Sequence, residues 1–320
     1  GDGIDLPGVN VETDLNKIPL PDNNVNLEQV ELKSSTEPML HEGLHTEEDF
    51  QRIRDKKAAG EEPWVSAYQL LVESQFSQKT ADTYPTEWIK RGISGDENYM
   101  NAARGATIVY QQALRWKIEQ DDEYAAKAVE NLNKWVQTCV GVTGNTNLSL
   151  AAGLYGYEFA IAGELLRDYG GWDRADFAAF QNWLLKVFYP ANDDFLKRHH
   201  DTNALHYWAN WCLCNIAAKM AIGIVTDRRD IYNEGIAHLQ TGDTNGRLRR
   251  AIYHDYAPDY NFAQWQESGR DQGHTLMCVG LMGVICQLAW SQGDDFFAYD
   301  DNLFLRACEY AACCNYTNET

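Results

Sequence analysis

Two segments concentrate side chains able to hold an anion and move a proton. The first, Asn203 to Asn210, offers Asn203, His206, Tyr207 and Asn210; the second runs Gln264-Trp-Gln-Glu-Ser-Gly-Arg-Asp-Gln-Gly-His274. If residues 203–223 are helical, steps of about 100° put Asn203, His206, Tyr207, Asn210 and Cys214 on one stripe, opposite Leu205, Trp208, Ala209, Cys212 and Ile216. A surface helix normally opposes its apolar stripe with Lys and Glu. Amides, an imidazole and a phenol there instead are groups that bind and catalyse; the plain alternative makes them hydrogen-bonded residues of a buried inner helix. The preceding Lys197-Arg198-His199-His200 adds positive potential at the same end unless it is a solvated turn.

In the second segment Gly269 and Gly273 permit tight turns, Arg270 presents a planar fork of donors suited to a carboxylate, and His274 brings an imidazole able to take or give a proton. Together they suit an anionic sugar, with Gln264, Gln266, Glu267, Asp271 and Gln272 as further hydrogen-bonding contacts and Trp265 as a stacking face. With ten tryptophans in the chain most must fill core, and Trp208, on the apolar stripe, is expected there.

These segments need a scaffold, and the pattern around them is helical. Helices are predicted over residues 47–59, 63–75, 97–118, 122–138, 149–168, 173–188, 203–223, 228–241, 271–290 and 300–314, with almost nothing alternating like a strand. Thr46-Glu-Glu-Asp49 resembles a capping box opening the first helix. Long helices joined by short turns are antiparallel neighbours, so the expected fold is all-α, an α/α toroid of helical hairpins, complete or incomplete. An open solenoid is the rival, lowered by the lack of a fixed-period repeat. Residues 1–40, polar and without sustained period, read as an arm or linker wrapping the surface, and 41–320 as the catalytic domain.

The 320 residues carry 47 Asp and Glu against 27 Lys and Arg, a net charge of −20, which argues against nucleic acid or an anionic membrane as partner. An anionic substrate remains compatible if cationic groups are gathered in one cleft. The eight cysteines lie mostly among apolar neighbours and are expected to be largely buried thiols; their spacing indicates no metal centre. No export signal stands at the start, which leaves its earlier removal open. The apolar stretch Thr275 to Trp290 is shorter than the roughly 20 residues of a membrane span and is expected to be a buried helix.

The string Gln266-Glu-Ser-Gly-Arg-Asp-Gln-Gly-His274, followed by Gln287-Leu-Ala-Trp290, Gln292-Gly293, Tyr299-Asp-Asp-Asn302 and Glu309-Tyr310, resembles the alginate-lyase family of polysaccharide lyases. Ala209-Asn-Trp211, Ala221 to Asp227 and His41 to Phe50 resemble it too, so the likeness spans roughly residues 40–316. It implies an α/α toroid, cofactor-free and metal-independent β-elimination on a uronic-acid polymer, and an exported protein, periplasmic or extracellular. Better-known alginate lyases of this architecture carry adjacent Asn-Asn-His before Tyr-Trp, whereas this chain reads Asn203-Ala-Leu-His206-Tyr207-Trp208, which leaves the roles of Asn203, His206 and Asn210 open.

β-Elimination needs a neutraliser for the C6 carboxylate, a base at C5 and an acid at O4. Arg270 with Asn203 or Asn210 suits the first, His206 or His274 the second, and Tyr299 or Tyr207 the third, Tyr299 leading because it precedes a helix start where a cavity rim is expected. Two rivals stand: a glycoside hydrolase using Glu267 and Asp271 as its carboxylate pair, and a non-catalytic glycan-binding surface protein.

Overall fold

The capping box at Thr46 forms: its hydroxyl accepts the Asp49 N–H and the Asp49 carboxylate accepts the Thr46 N–H, opening α1 (Glu47–Ala58). The computed structural model describes residues 29–316. After α1 follow α2 (Trp64–Glu73), α3 (Tyr99–Glu119), α4 (Asp122–Thr138), α5 (Leu148–Leu166), α6 (Arg174–Val187), α7 (Tyr189–Arg198), α8 (Ala209–Val225), α9 (Arg229–Thr241), the short α10 (Leu248–Ala251), α11 (Gln272–Ser291) and α12 (Tyr299–Tyr316). The fold is the expected α/α toroid: α3, α5, α8 and α11 pack side by side in that order, and the returning arms of the hairpins lie against them.

Burial shows why α8 sits centrally. Every residue of it except Trp211 is buried, as a helix apolar all round must be. It approaches α5 closely because Gly153 has no side chain; a Cβ there would lie 2.4 Å from Cys214 Sγ and 2.9 Å from its backbone carbon. The one charged residue of α8 is Lys219, fully buried, whose ammonium is bonded to Asp193 of α7 at 2.7 Å and Glu234 of α9 at 2.8 Å. Between α4, α5 and α6 the core is aromatic: Phe159 packs on Trp135, Trp183 and Phe188.

Inner helices alternate with returning ones, so they run parallel and their N-termini meet at one rim. Strand β1 (Trp88–Arg91), leading into α3, pairs in parallel with β2 (Gly141–Gly144), leading into α5. At the first turn of α5, the Ser149 hydroxyl lies 2.9 Å from His200, in the turn before α8. Asn210 at the start of α8 donates from Nδ2 to the His274 carbonyl at the start of α11, 3.0 Å. The opposite end is crossed by the described end of the arm and the residues that follow it. Gln292, past the end of α11, bonds the Leu40 and Glu42 backbone, His41 meets Asp227 past the end of α8, and Gly43 lies against Glu164 in the last turn of α5.

Several expectations are corrected. The helix predicted from 203 begins at Ala209, since residues 203–208 form turns; the two-faced stripe built on 203–207 therefore does not exist. Helix α7 was not predicted, and neither were the strands, including the antiparallel ribbon of β3 (Ile252–Asp255) and β4 (Ala263–Trp265). Helix α11 starts earlier than the apolar stretch and reaches 20 residues, long and apolar enough to cross a membrane by length and composition; here it packs on α8 and α12, with Leu276 and Trp290 exposed. Cys139, Cys212, Cys214, Cys278 and Cys286 are buried, Cys308 is half-buried, and Cys313 and Cys314 are exposed. The arm before residue 29 lies outside the described residues.

Candidate active site

The rim is built by three segments that cap one another. Helix α8 has no side-chain cap of its own; its first two N–H groups are taken by the second segment, Ala209 N–H by Gln266 Oε1 at 2.7 Å and Asn210 N–H by Glu267 Oε1 at 3.1 Å. Glu267 is fully buried, and its other oxygen holds Arg270 Nη1 at 3.3 Å. Arg270 also lies over the Trp208 ring, 5.0 Å from its centroid, while its side chain keeps 32% of its surface exposed. Fixed from one side by a carboxylate and from below by an indole, the guanidinium keeps donors for an incoming carboxylate.

At the start of α11, Asp271 accepts the His274 N–H at 2.8 Å and lies 2.7 Å from His274 Nδ1. Those two bonds from His274, backbone first, hold the Asp271 carboxyl below its ordinary value and therefore charged. A charged Asp271 fixes Nδ1 as the protonated nitrogen, leaving Nε2 to take a proton.

The turn before α8 carries the most unusual backbone of the rim. His199, His200 and Asp201 all have φ between 51° and 61°, a left-handed run without glycine. Such residues cost about 1–2 kcal/mol each and persist only where the surroundings impose them. Here Thr202 Oγ1 donates to the His199 carbonyl at 2.5 Å and Arg198 pairs with Asp201 at 2.7 Å. The turn delivers an aromatic nest: Tyr207 has His206 at 4.9 Å, His200 at 5.8 Å, Phe195 at 5.2 Å and Trp211 at 4.8 Å between ring centroids. Asn203 accepts the Leu205 N–H at 2.8 Å on its side-chain oxygen, and Asn245 Nδ2 ties the Leu205 and Tyr207 carbonyls to the next loop.

The β3–β4 ribbon adds groups that sequence patterning passed over. Tyr256 donates its hydroxyl to Gln264 Oε1 at 2.7 Å, with His254 edge-on at 4.4 Å and Tyr310 stacked at 5.9 Å. Arg249 pairs with Asp255 and Asp300 beside it. The available signal was the density of Arg, Tyr and His in residues 247–256.

The structure thus brings Asn203, His206, Tyr207, Arg270, Asp271 and His274 to one rim, with Gln272 exposed in the first turn of α11. Others are engaged elsewhere. Trp265 is 0% exposed, its indole N–H bonded to the Ala307 carbonyl, so it has no face for a sugar. Trp208, expected in the core, is half-buried under Arg270. Gln266 spends its oxygen on α8, Glu267 divides its two between α8 and Arg270, and buried Asn210 joins α8 to α11. Gln264 lies between Tyr256 and Ser268. Tyr299 is 7% exposed against Phe296, and burial raises its pKa, the wrong direction for a proton donor. Because Glu267 is buried in a 3-10 turn and Asp271 is bound to His274, the two do not form the hydrolase pair considered from sequence.

A helical toroid whose inner N-termini gather a guanidinium, imidazoles and phenols defines an enzyme for anionic polysaccharide. The chain belongs to the alginate lyase family, whose model matches residues 53–318, and it is a polysaccharide lyase. Among solved structures it is similar in fold to alginate lyase A1-III in a His-to-Ala form complexed with tetrasaccharide, at 13% identity, covering 88% of this chain and 79% of that one, TM-score 0.68. It also resembles A1-III from Sphingomonas species A1, at 12% identity over 88% and 80% of the chains, TM-score 0.61. An alginate lyase from Bacteroides ovatus matches at 14% identity over 84% and 82%, TM-score 0.57. A Tyr-to-Phe form of A1-III with tetrasaccharide matches too, at 12% identity over 88% and 80% of the chains, TM-score 0.63. No curated protein matches the chain.

Proposed function

We propose that this lyase cleaves an alginate-type polyuronate by β-elimination at the rim, with Arg270 on the C6 carboxylate, His274 as the base at C5 and Tyr207 as the acid at O4. The observation that carries it is the capping exchange: Gln266 and Glu267 close the start of α8 while Asn210 holds the start of α11, placing Arg270 and the His274–Asp271 pair beside the turn bearing Tyr207. Arg270 strengthens its hold as charge moves onto the carboxylate in the transition state. His274 Nε2 takes the C5 proton, and Asp271 stabilises the imidazolium formed. Tyr207, held in a nest with two imidazoles against its ring, gives its proton to the leaving oxygen. That A1-III is recorded with tetrasaccharide in a His-to-Ala and a Tyr-to-Phe form supports a histidine and a tyrosine in these roles.

The net charge of −20 does not oppose this reading. Each inner helix presents about half a positive charge at its N-terminus, and four such ends surround the rim with Arg270. We propose further that the enzyme acts outside the cytoplasm, periplasmic or extracellular, where a polysaccharide chain is first met. The test is a panel of polymannuronate, polyguluronate and polyglucuronate scored for ultraviolet-absorbing unsaturated ends. Failure on every one sinks the reading; new reducing ends without the chromophore indicate hydrolysis instead.

A further inference from the structure

Against the first turns of α3, at a sector of the rim that holds no group named so far, the loop over residues 75–84 encloses a cavity of about 280 Å³ whose lining includes Arg104, Asn101, Gln75, Phe76, Tyr84 and Asp82. Arg104 is exposed and is the only arginine among the described residues with no hydrogen bond, ion pair or ring contact. That is unusual here, because the excess of acids leaves almost every other guanidinium bound to a carboxylate or carbonyl. The side-chain amides of Asn101 and Gln75 likewise have no hydrogen-bond partner among the described residues. Tyr84, 74% exposed, supplies an aromatic face of the kind that packs on a pyranose ring.

The wall behind these groups is rigid. Fully buried Gln112 donates to the Gln78 and Ala81 carbonyls, and fully buried Asn131 donates to Ala81 and accepts the Thr83 N–H. Trp135 donates to Thr83 Oγ1 at 2.5 Å, and Gly105 lets α3 approach that contact, since a Cβ would lie 2.4 Å from the Trp135 nitrogen. Asp82, the one anion of the lining, is neutralised by Lys127 at 2.5 Å. A preformed concavity with one uncommitted guanidinium, two uncommitted amides and an aromatic face matches a single acidic sugar; its volume falls at the lower edge of ligand pockets, about 300–1,000 Å³.

We propose that this cavity is a second binding site, which holds one uronate residue of the polymer away from the bond being cleaved, Arg104 pairing with its carboxylate. The proposal rests on the polyuronate reading for its ligand. A second foothold raises the local concentration of a long chain at the rim and does nothing for a chain too short to reach both places.

Arg104→Ala and Tyr84→Ala are compared with the wild type by initial rates of unsaturated-end formation on polymeric alginate and on a tetrasaccharide, and by retardation in native gels containing alginate or neutral dextran. The expected result is a KM on polymer raised on the order of 3- to 10-fold with kcat unchanged, an unaltered tetrasaccharide KM, and weaker retardation by alginate alone. Equal KM on polymer and undiminished retardation in both variants overturn the proposal while normal turnover leaves the lyase reading standing. Conversely, if the wild type makes no unsaturated ends but is retarded by alginate through Arg104, the site stands and the lyase reading falls. Arg104 is exposed and makes no hydrogen bond, ion pair or ring contact, so its replacement does not endanger folding.

Discussion

Replacing Glu158 by Gln should make the protein more stable at alkaline pH and change little at acid pH. After its first residue, Leu148, the incompletely buried residues of α5 are Leu150, Leu154, Tyr157 and Glu158. The Glu158 carboxyl has no hydrogen bond or ion pair among the described residues, and burial pushes its pKa up to about 7 from 4.5. The titratable groups that interact with it are Tyr155 and Tyr157 on the same helix, and Tyr157 in turn faces Tyr110 on α3 and Cys214 on α8. Burial raises the pKa of each, so none supplies a compensating charge near neutrality. A carboxyl raised on folding binds its proton more tightly in the folded state, so stability is full below about pH 4.5 and falls as pH rises to about 7. A shift of about 2.5 units corresponds to at most about 3.4 kcal/mol at 1.36 kcal/mol per unit, and partial exposure of the side chain trims this to about 1–3 kcal/mol. Glutamine keeps the shape and cannot ionise. Urea unfolding of both proteins at about pH 5 and about pH 8 measures the difference, and the pH dependence of Glu164, also raised, cancels between them. The variant should gain about 1–3 kcal/mol over the wild type between the two conditions. An offset that does not change with pH would refute the reasoning.

Arg270→Lys should lower kcat/KM by about 10²-fold or more, because an ammonium cannot reproduce the bidentate fork over Trp208; steady-state rates on polymer check it, and near-normal activity would remove Arg270 from the carboxylate. Asp271→Asn should lower kcat more than it raises KM, by letting His274 adopt the other tautomer, and should move the acidic limb of the pH–rate profile. An unchanged profile would make the pair structural. Gly153→Ala should cost about 1–3 kcal/mol in denaturant unfolding, since its methyl would meet Cys214 Sγ and the α8 backbone.

How far the sequence reached differs from element to element. The 3.6-residue spacing located α1 to α6, α9, α11 and α12 within a few residues, because amphipathic helices record in their own pattern which side is buried. The Thr46 capping box was legible because both its partners lie three residues apart. Arg270, Asp271 and His274 were legible as a group for the same reason, their bonds being local along the chain.

The start of α8 was not. Residues 203–208 continue a helical pattern on paper, yet the left-handed run at 199–201 and the caps from Gln266 and Glu267, 57 residues away, place the first helical turn at Ala209. No pattern within one segment encodes a cap supplied by another. The same distance hid the fates of Trp265 and Tyr299: an aromatic residue beside polar ones reads as a sugar platform or a proton donor, and only packing against Ala307 and Phe296 turned both inward. Sequence alone determined the helical class, the family likeness and the residue types the chemistry needs. Tertiary structure decided which of them remain accessible, because the inner helices' N-termini meet only when the ring assembles and the groups that cap those helices are spent in holding it.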